Sequence, residues 1–333
     1  MVPDVLKRSA FNILTMGPER IMRRRALCLK DLLSGANQLQ QAEDELHSRM
    51  DPGTAKVLQG KGLLLLESVL QDVGHPDVSL VQEVTRGFPL TGNAAESQVF
   101  PKRLRPATRT PTSLRRRGAW ARPLIASRAI SCGDADVDRT VWSQTREEVA
   151  AGWLDGPCTS TQLYKRFGKG WIASRRFGLK QGNKTRLIDN GRESELNSAF
   201  TTFEKLDLQD VDDLVCAFDC LMKCVSTKGA VRFTLADGEV LSGQVHDQWG
   251  PVGSTKLYGR TLDLKAAYKQ VATAFDNRWS AVVVAFCPLT NQPAYFISIA
   301  LLFGSTAAVH AFNRLSKTLW HSMCAVLDLM CTC

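Results

Sequence analysis

Hydrophobic positions in the first hundred residues recur at the three-to-four spacing of amphipathic helices. Pro18 opens one helix after Met16-Gly17, a position that suits its fixed φ. Val57, Leu58, Leu63, Leu64, Leu65, Leu66, Val69 and Leu70 mark another, which ends near Gly74-His75-Pro76 and makes His75 a helix-end residue. Further along the pattern changes. Val141 to Trp153 has helical spacing, with Trp142, Val149 and Trp153 toward a core and Glu147 and Glu148 toward solvent. Residues 173–189 alternate as paired strands, and Asp207 to Val225 has the period of an amphipathic helix. Val231 to Leu241 forms a hairpin about Asp237-Gly238, and Ala281 to Cys287 and Ala294 to Ile299 are strands around Pro288 and Pro293. Helices followed by mixed helix and hairpin define an α+β chain. The expected divisions are a helical extension (1–100), a basic linker (101–140), a mixed region (141–255) and a last unit (256–333).

Charge sharpens this picture. The 333 residues carry a formal net charge of +9, and 44% are hydrophobic, enough for a sizeable core. A basic balance favours polyanionic partners, though by itself it governs only non-specific attraction. Nine cations fall between Lys102 and Arg128 with no acidic residue among them, Arg115, Arg116 and Arg117 being consecutive. Such a run is expected to stay unburied, as a flexible linker, a phosphate-contacting arm or a nuclear address. Tyr164-Lys165-Arg166-Phe167-Gly168-Lys169-Gly170-Trp171 interleaves cations with aromatics, which fits either single-strand tracking or an ordinary cationic loop.

The chemistry concentrates in three ordered segments. Asp263, in Gly-Arg-Thr-Leu-Asp-Leu-Lys-Ala-Ala-Tyr-Lys, follows an apolar approach that places its carboxylate at a strand end. A carboxylate there can hold Mg²⁺, which prefers hard oxygen ligands and keeps positions open for phosphates, although the segment equally suits an ordinary strand with an N-capped helix behind it. Tyr268 follows where a nucleotide sugar could rest on its ring. Upstream, Gly182-Asn183-Lys184-Thr185-Arg186-Leu187-Ile188-Asp189 puts two cations on one face of a strand. Downstream, Leu302-Phe303-Gly304-Ser305 leads into a helix with Ala307, Ala308, Ala311, Phe312 and Leu315 on its apolar side.

This order of basic strand, Asp-bearing strand, hairpin, then Phe-Gly turn and helix resembles the fingers and palm of retroelement reverse transcriptases of the dinoflagellate type. The resemblance covers roughly residues 150 to 320, and more loosely the helical region from about 50 to 100. It implies reverse-transcriptase-like fingers and a partial palm behind an N-terminal helical extension. It further implies that Asp263 is the first metal-binding carboxylate, with the Leu264 main-chain carbonyl as another oxygen ligand. Tyr268 would be the steric gate against a ribose 2′-hydroxyl, and Lys184 and Arg186 the cations that grip the triphosphate. Gly304 would let the backbone approach the nascent base pair. The implied cofactor is Mg²⁺, and the implied partners are an RNA or DNA template-primer and deoxynucleoside triphosphates.

One departure matters. In that family a hairpin after the Phe-Gly helix carries adjacent aspartates that complete the metal site, and no tandem aspartate follows Gly304. The one tandem pair, Asp212-Asp213, precedes Asp263 and sits at the start of an amphipathic pattern, where it reads as a solvated first helical turn. Two-metal chemistry needs carboxylates from two strands around shared ions. The chain by itself is therefore expected not to polymerise.

The ten cysteines show no pairing pattern, and the N-terminus lacks a signal-peptide core, so an intracellular reduced protein is expected. Cys216, Cys220 and Cys224 fall on one helical face, where buried core thiols are a simpler account than a zinc site with His246. No apolar run reaches membrane-spanning length. Two functional readings lead: a polymerase core that needs the missing hairpin, or a non-catalytic retroelement remnant that binds RNA or DNA through its basic surface; a globular protein with neither role is the third.

Overall fold

The computed structural model describes residues 2–208, 210–250 and 263–332. The N-terminal part is helical: α1 (Asp4–Met16), α2 (Pro18–Arg49), α3 (Pro52–Leu58), α4 (Leu63–Asp72) and α5 (Leu80–Arg86). Local chemistry sets these boundaries. Asp51 caps α3 by accepting from Thr54 N–H at 2.9 Å, with Pro52 in the first turn. The leucine run of α4 begins at Gly62, which brings no capping side chain. Buried Glu43 of α2 supplies the cap instead, its Oε1 accepting from Leu64 N–H (2.6 Å) and Leu65 N–H (3.2 Å).

Short strand β1 (Gly92–Asn93), then β2 (Lys102–Arg105) and α6 (Pro111–Ser127), follow. The basic stretch expected to be a flexible linker is thus ordered. β2 pairs with a later strand, and α6 buries Leu114, Gly118, Arg122 and Ile125. The Arg-rich run can pack because its apolar residues fall at helical spacing and turn most of the cations outward, while buried Arg122 donates to the Lys169 and Trp171 carbonyls. Gly118 is part of the reason, since a Cβ there would meet the Trp171 carbonyl at 2.5 Å.

Next come α7 (Ala135–Ala150), β3 (Leu154–Cys158), α8 (Ser160–Phe167), β4 (Ala173–Gln181), β5 (Lys184–Asp189) and β6 (Phe200–Glu204). α9 (Val211–Lys223), β7 (Ala230–Thr234), β8 (Val240–Gln244), β9 (Val282–Cys287), β10 (Gln292–Ser298) and α10 (Thr306–Thr332) complete the described elements. The architecture mixes helix and sheet in the α+β manner. Its main sheet has the order β3-β10-β9-β4-β5, antiparallel except for the β4/β9 pair. Helix α7 packs against this sheet, and Val282, Val283, Val284 and Ala285 of β9 are fully buried. A strand covered on both faces reads as a continuous apolar run rather than an alternating one. A second sheet has the order β1-β6-β2.

β7 and β8 form the expected hairpin about Asp237-Gly238, and with α9 and α1 they enclose a small core of Cys224, Val231 and Phe233. The tandem acids find a structural role there. Asp210 and Asp213 form a reciprocal capping box at the start of α9, with Asp212 in the same first turn. The three helix cysteines do not share one environment as expected: Cys224 is buried, Cys220 half-buried and Cys216 exposed. Only the last turn of α9 reaches the small core, so the earlier cysteine faces away from it.

His75 stands just past the end of α4, as expected, its N–H donating to the Leu70 carbonyl at 2.9 Å. It is buried against α10, its Nδ1 lying 3.3 Å from His321 Nδ1 and its Nε2 2.9 Å from Thr318 Oγ1. Burial lowers the pKa of both imidazoles; the mutual approach adds to this at His75 and is opposed by Asp77, while Lys317 adds to it at His321. Because the folded-state values are depressed, their contribution is complete above the ordinary histidine value of about 6.5 and is lost as pH falls below it. Urea unfolding should therefore show stability declining between pH 7 and 5, with a flatter decline in His321→Leu. An unchanged pH slope in that variant would remove the pair as its source.

Candidate functional site

The centre of the candidate site is a buried charge network. Arg176 on β4 donates to Asp189 at the end of β5 in bidentate fashion, Nε to Oδ1 at 2.7 Å and Nη2 to Oδ2 at 3.0 Å. Its Nη1 donates to Glu148 Oε2 of α7 at 2.8 Å, and Lys269 Nζ reaches the same oxygen at 3.1 Å. Two cations thus meet two carboxylates with almost no solvent contact. Burial opposes the charge on Arg176, yet Asp189 and Glu148 outweigh it and hold the guanidinium above its ordinary pKa. For Lys269 burial prevails, reinforced by Arg176, and its pKa falls.

Asp189 also organises the backbone around it. Its N–H donates to the Phe303 carbonyl at 2.9 Å. Gly304, at φ +120°, crosses so close that a Cβ there would collide with the Asp189 carbonyl. The Gly304 carbonyl accepts from Asn197 Nδ2 at 3.0 Å, while Asn197 Oδ1 accepts from Thr306 N–H at 2.8 Å and starts α10. The segments containing Lys184, Asp263 and Gly304 therefore converge on one buried carboxylate and its salt-bridge partners.

Asp263 itself is exposed, at the first described position after residue 250. The strand expected to deliver it lies outside the described residues. In place of the expected helix behind it, a tight turn carries Ala266 at φ +54° and leads into a single helical turn, Ala267–Gln270. The Leu264 carbonyl accepts from Ala267 N–H at 3.3 Å. Tyr268 is half-buried, its ring 5.4 Å from Phe303 and 5.2 Å from Phe312, and burial raises its pKa. Lys184 and Arg186 are exposed on one face of β5, as their alternation implies. Gly304 differs from its expected role in one respect: the space beside it is filled by the Asp189 backbone.

The cationic candidates are distributed unevenly. Arg117 pairs with Glu195 at 2.8 Å, and Arg115 lies over the Trp279 ring at 4.4 Å. Arg116 is exposed with no partner among the described residues. Arg166 pairs with Asp155 at 2.7 Å, while Lys165 and Lys169 are exposed. Trp171, expected as a stacking surface, is instead 1% exposed within the core. Glu193 further holds Arg128 and Arg175, at 2.9 and 3.0 Å.

Sequence reasoning missed Glu148, Arg176 and Asn197. A signal existed for the first, since Glu148 follows Val141 and Thr145 at helical spacing on the buried face of α7 rather than on the solvent side. Arg176 shares a strand face with buried Ser174. Nothing local marks Asn197.

Beside Leu264 runs an apolar groove of ≈ 860 Å³, bounded by α2, α4 and α10 and lined by Leu65, Leu66, Phe312, Leu315 and Leu319 among others. Among the described residues no group of three or more His, Cys, Asp or Glu side chains is placed to hold a metal ion, and no helix is long and apolar enough to cross a membrane. Comparison with protein-family models, curated proteins and solved structures finds no match.

Breaking the buried pair by Asp189→Asn leaves Arg176 without its bidentate partner and should cost about 3–5 kcal/mol of unfolding free energy. Lys184→Ala, on the exposed face of the same strand, should stay within about 0.5 kcal/mol. Equal losses in chemical denaturation would show that the network is not the structural centre.

Proposed function

We propose that the chain forms the fingers and part of the palm of a reverse-transcriptase-like protein of the nucleotidyl-transfer class. One observation carries the reading: the three sequence segments that resemble that family, far apart in the chain, meet around Asp189. Lys184 and Arg186 extend from β5, which ends at that residue. Tyr268 immediately precedes Lys269, a member of the network, with Asp263 six residues before it, and Gly304 closes over the Asp189 backbone. Exposed cations on a strand suit a triphosphate, since charge-assisted bonds to phosphate oxygens are strong and Arg can bind two at once.

The donor set does not hold Mg²⁺ alone. Among the described residues Asp263 belongs to no group of three or more His, Cys, Asp or Glu side chains placed to hold a metal ion. In this reading the groove beside Leu264 is where a second, carboxylate-bearing pair of strands packs. Its apolar lining suits the underside of such a hairpin. Tyr268, held between Phe303 and Phe312, is the group that meets the sugar.

The second reading is a retroelement remnant that only binds RNA or DNA, and the exposed Arg116, Lys165 and Lys169 favour it. Nucleotide binding separates the two. Arg186→Ala should weaken a fluorescent deoxynucleoside triphosphate about tenfold, the scale of one lost charged hydrogen bond, while Arg116→Ala leaves that affinity unchanged. Arg116→Ala should instead lower the salt slope of single-strand binding by about 1. Triphosphate binding that ignores Arg186 would leave only the remnant reading.

A further inference from the structure

A polar cavity of ≈ 460 Å³, whose lining does not include Asp263, lies between the start of α3, the α7–β3 turn and Arg278. Its charges are not balanced. Arg278 is 2% exposed, and only its Nη2 is occupied, donating to Asp51 Oδ2 at 2.5 Å and Thr54 Oγ1 at 3.2 Å. Its Nε is buried without a partner, and Nη1 has none among the described residues. A buried guanidinium with unmet donors is costly unless an acceptor arrives.

The other walls add two cations, Lys56 and Arg166, and two carboxylates, Asp51 and Asp155. Arg166 is paired with Asp155 at 2.7 Å, and Asp51 is engaged by Arg278 and by the Thr54 N–H it caps. Lys56 lies across Gly152, which sits at φ +76° and where any side chain would collide with the lysine methylenes. Its ammonium has no carboxylate partner among the described residues. Three cations therefore line the cavity against two carboxylates that are both already committed. The volume falls within the range of about 300–1,000 Å³ of small-molecule sites, larger than a bare ion requires. Val149 and Ile299 give it an apolar side.

We propose that this cavity binds a small organic phosphate, the phosphate group meeting Lys56, Arg166 and the free edges of Arg278, with the organic part against Val149 and Ile299. A phosphate has enough acceptor oxygens to serve a lysine and two arginines together, and cation–phosphate bonds are among the stronger hydrogen bonds. Calorimetric titration of the full chain with ribose 5-phosphate, with ribose as control, tests this. Ribose 5-phosphate should bind and raise the melting temperature, and ribose should do neither. Lys56→Glu should weaken that binding at least about tenfold without shifting the melting temperature of the free protein; Arg166→Ala should weaken it in the same direction. Failure of ribose 5-phosphate to bind would overturn the proposal, as would binding unaffected by Lys56→Glu. Lys56-dependent binding of a single-stranded oligonucleotide with none of ribose 5-phosphate would assign the cavity to a polymer backbone and overturn it equally.

Discussion

Everything near the candidate site depends on placing Arg176 in the core. Moving a charged group out of water costs several kcal/mol even after relaxation, and only well-aligned partners recover it. Asp189 provides the bidentate half of that compensation and Glu148 the remainder, while Lys269 balances the second carboxylate. The consequence is positional. α7, the β4–β5 hairpin and the segment after Asp263 can satisfy four buried charges in few relative arrangements. Hydrophobic contacts alone are less directional and would tolerate sliding. The close crossing at Gly304 then locks the start of α10 to the same point, because only a residue without a side chain can pass the Asp189 carbonyl.

The surface follows a related logic. The basic stretch folds as β2 and α6 because acidic residues elsewhere receive its arginines: Glu195 takes Arg109 and Arg117, and Glu193 takes Arg128. Burial by itself would raise the Glu193 carboxyl, but the hydrogen bonds from Arg128 and Arg175 outweigh it and hold it below the ordinary glutamate value. Cations so engaged contribute less to binding a polyanion than their number implies. The effective positive surface therefore reduces to residues such as Arg116, Lys165, Lys169, Lys184 and Arg186, which project from different elements.

Elements with a strong period were legible in the sequence: the β4–β5 hairpin, α9 with its acidic first turn, the Asp237-Gly238 turn and the apolar strand β9. Each is specified by near neighbours. What stayed hidden depends on long-range pairing. Glu148 looks like half of a solvated Glu-Glu pair until Arg176 is brought beneath it, and the burial of His75 at the end of α4 is hidden until α10 packs over it. The arginine run looked unburiable because its counter-charges, Glu193 and Glu195, come from after β5. Trp171 shows the reverse error: aromatic residues among cations pattern like a stacking surface, yet Arg122 lies over this ring at 4.2 Å inside the core. At the candidate site the residue types were legible, and their convergence on Asp189 was not.

We propose that these segments belong to a polymerase centre that needs a second, carboxylate-bearing pair of strands. Primer extension on a poly(rA)/oligo(dT) template with Mg²⁺ tests it most directly, comparing the 333-residue chain with the same chain extended through its downstream reading frame. Incorporation is expected from the extended form alone, abolished by Asp263→Ala. Extension by neither form would contradict the polymerase reading, and extension by the 333-residue chain would contradict the requirement for a second pair of strands.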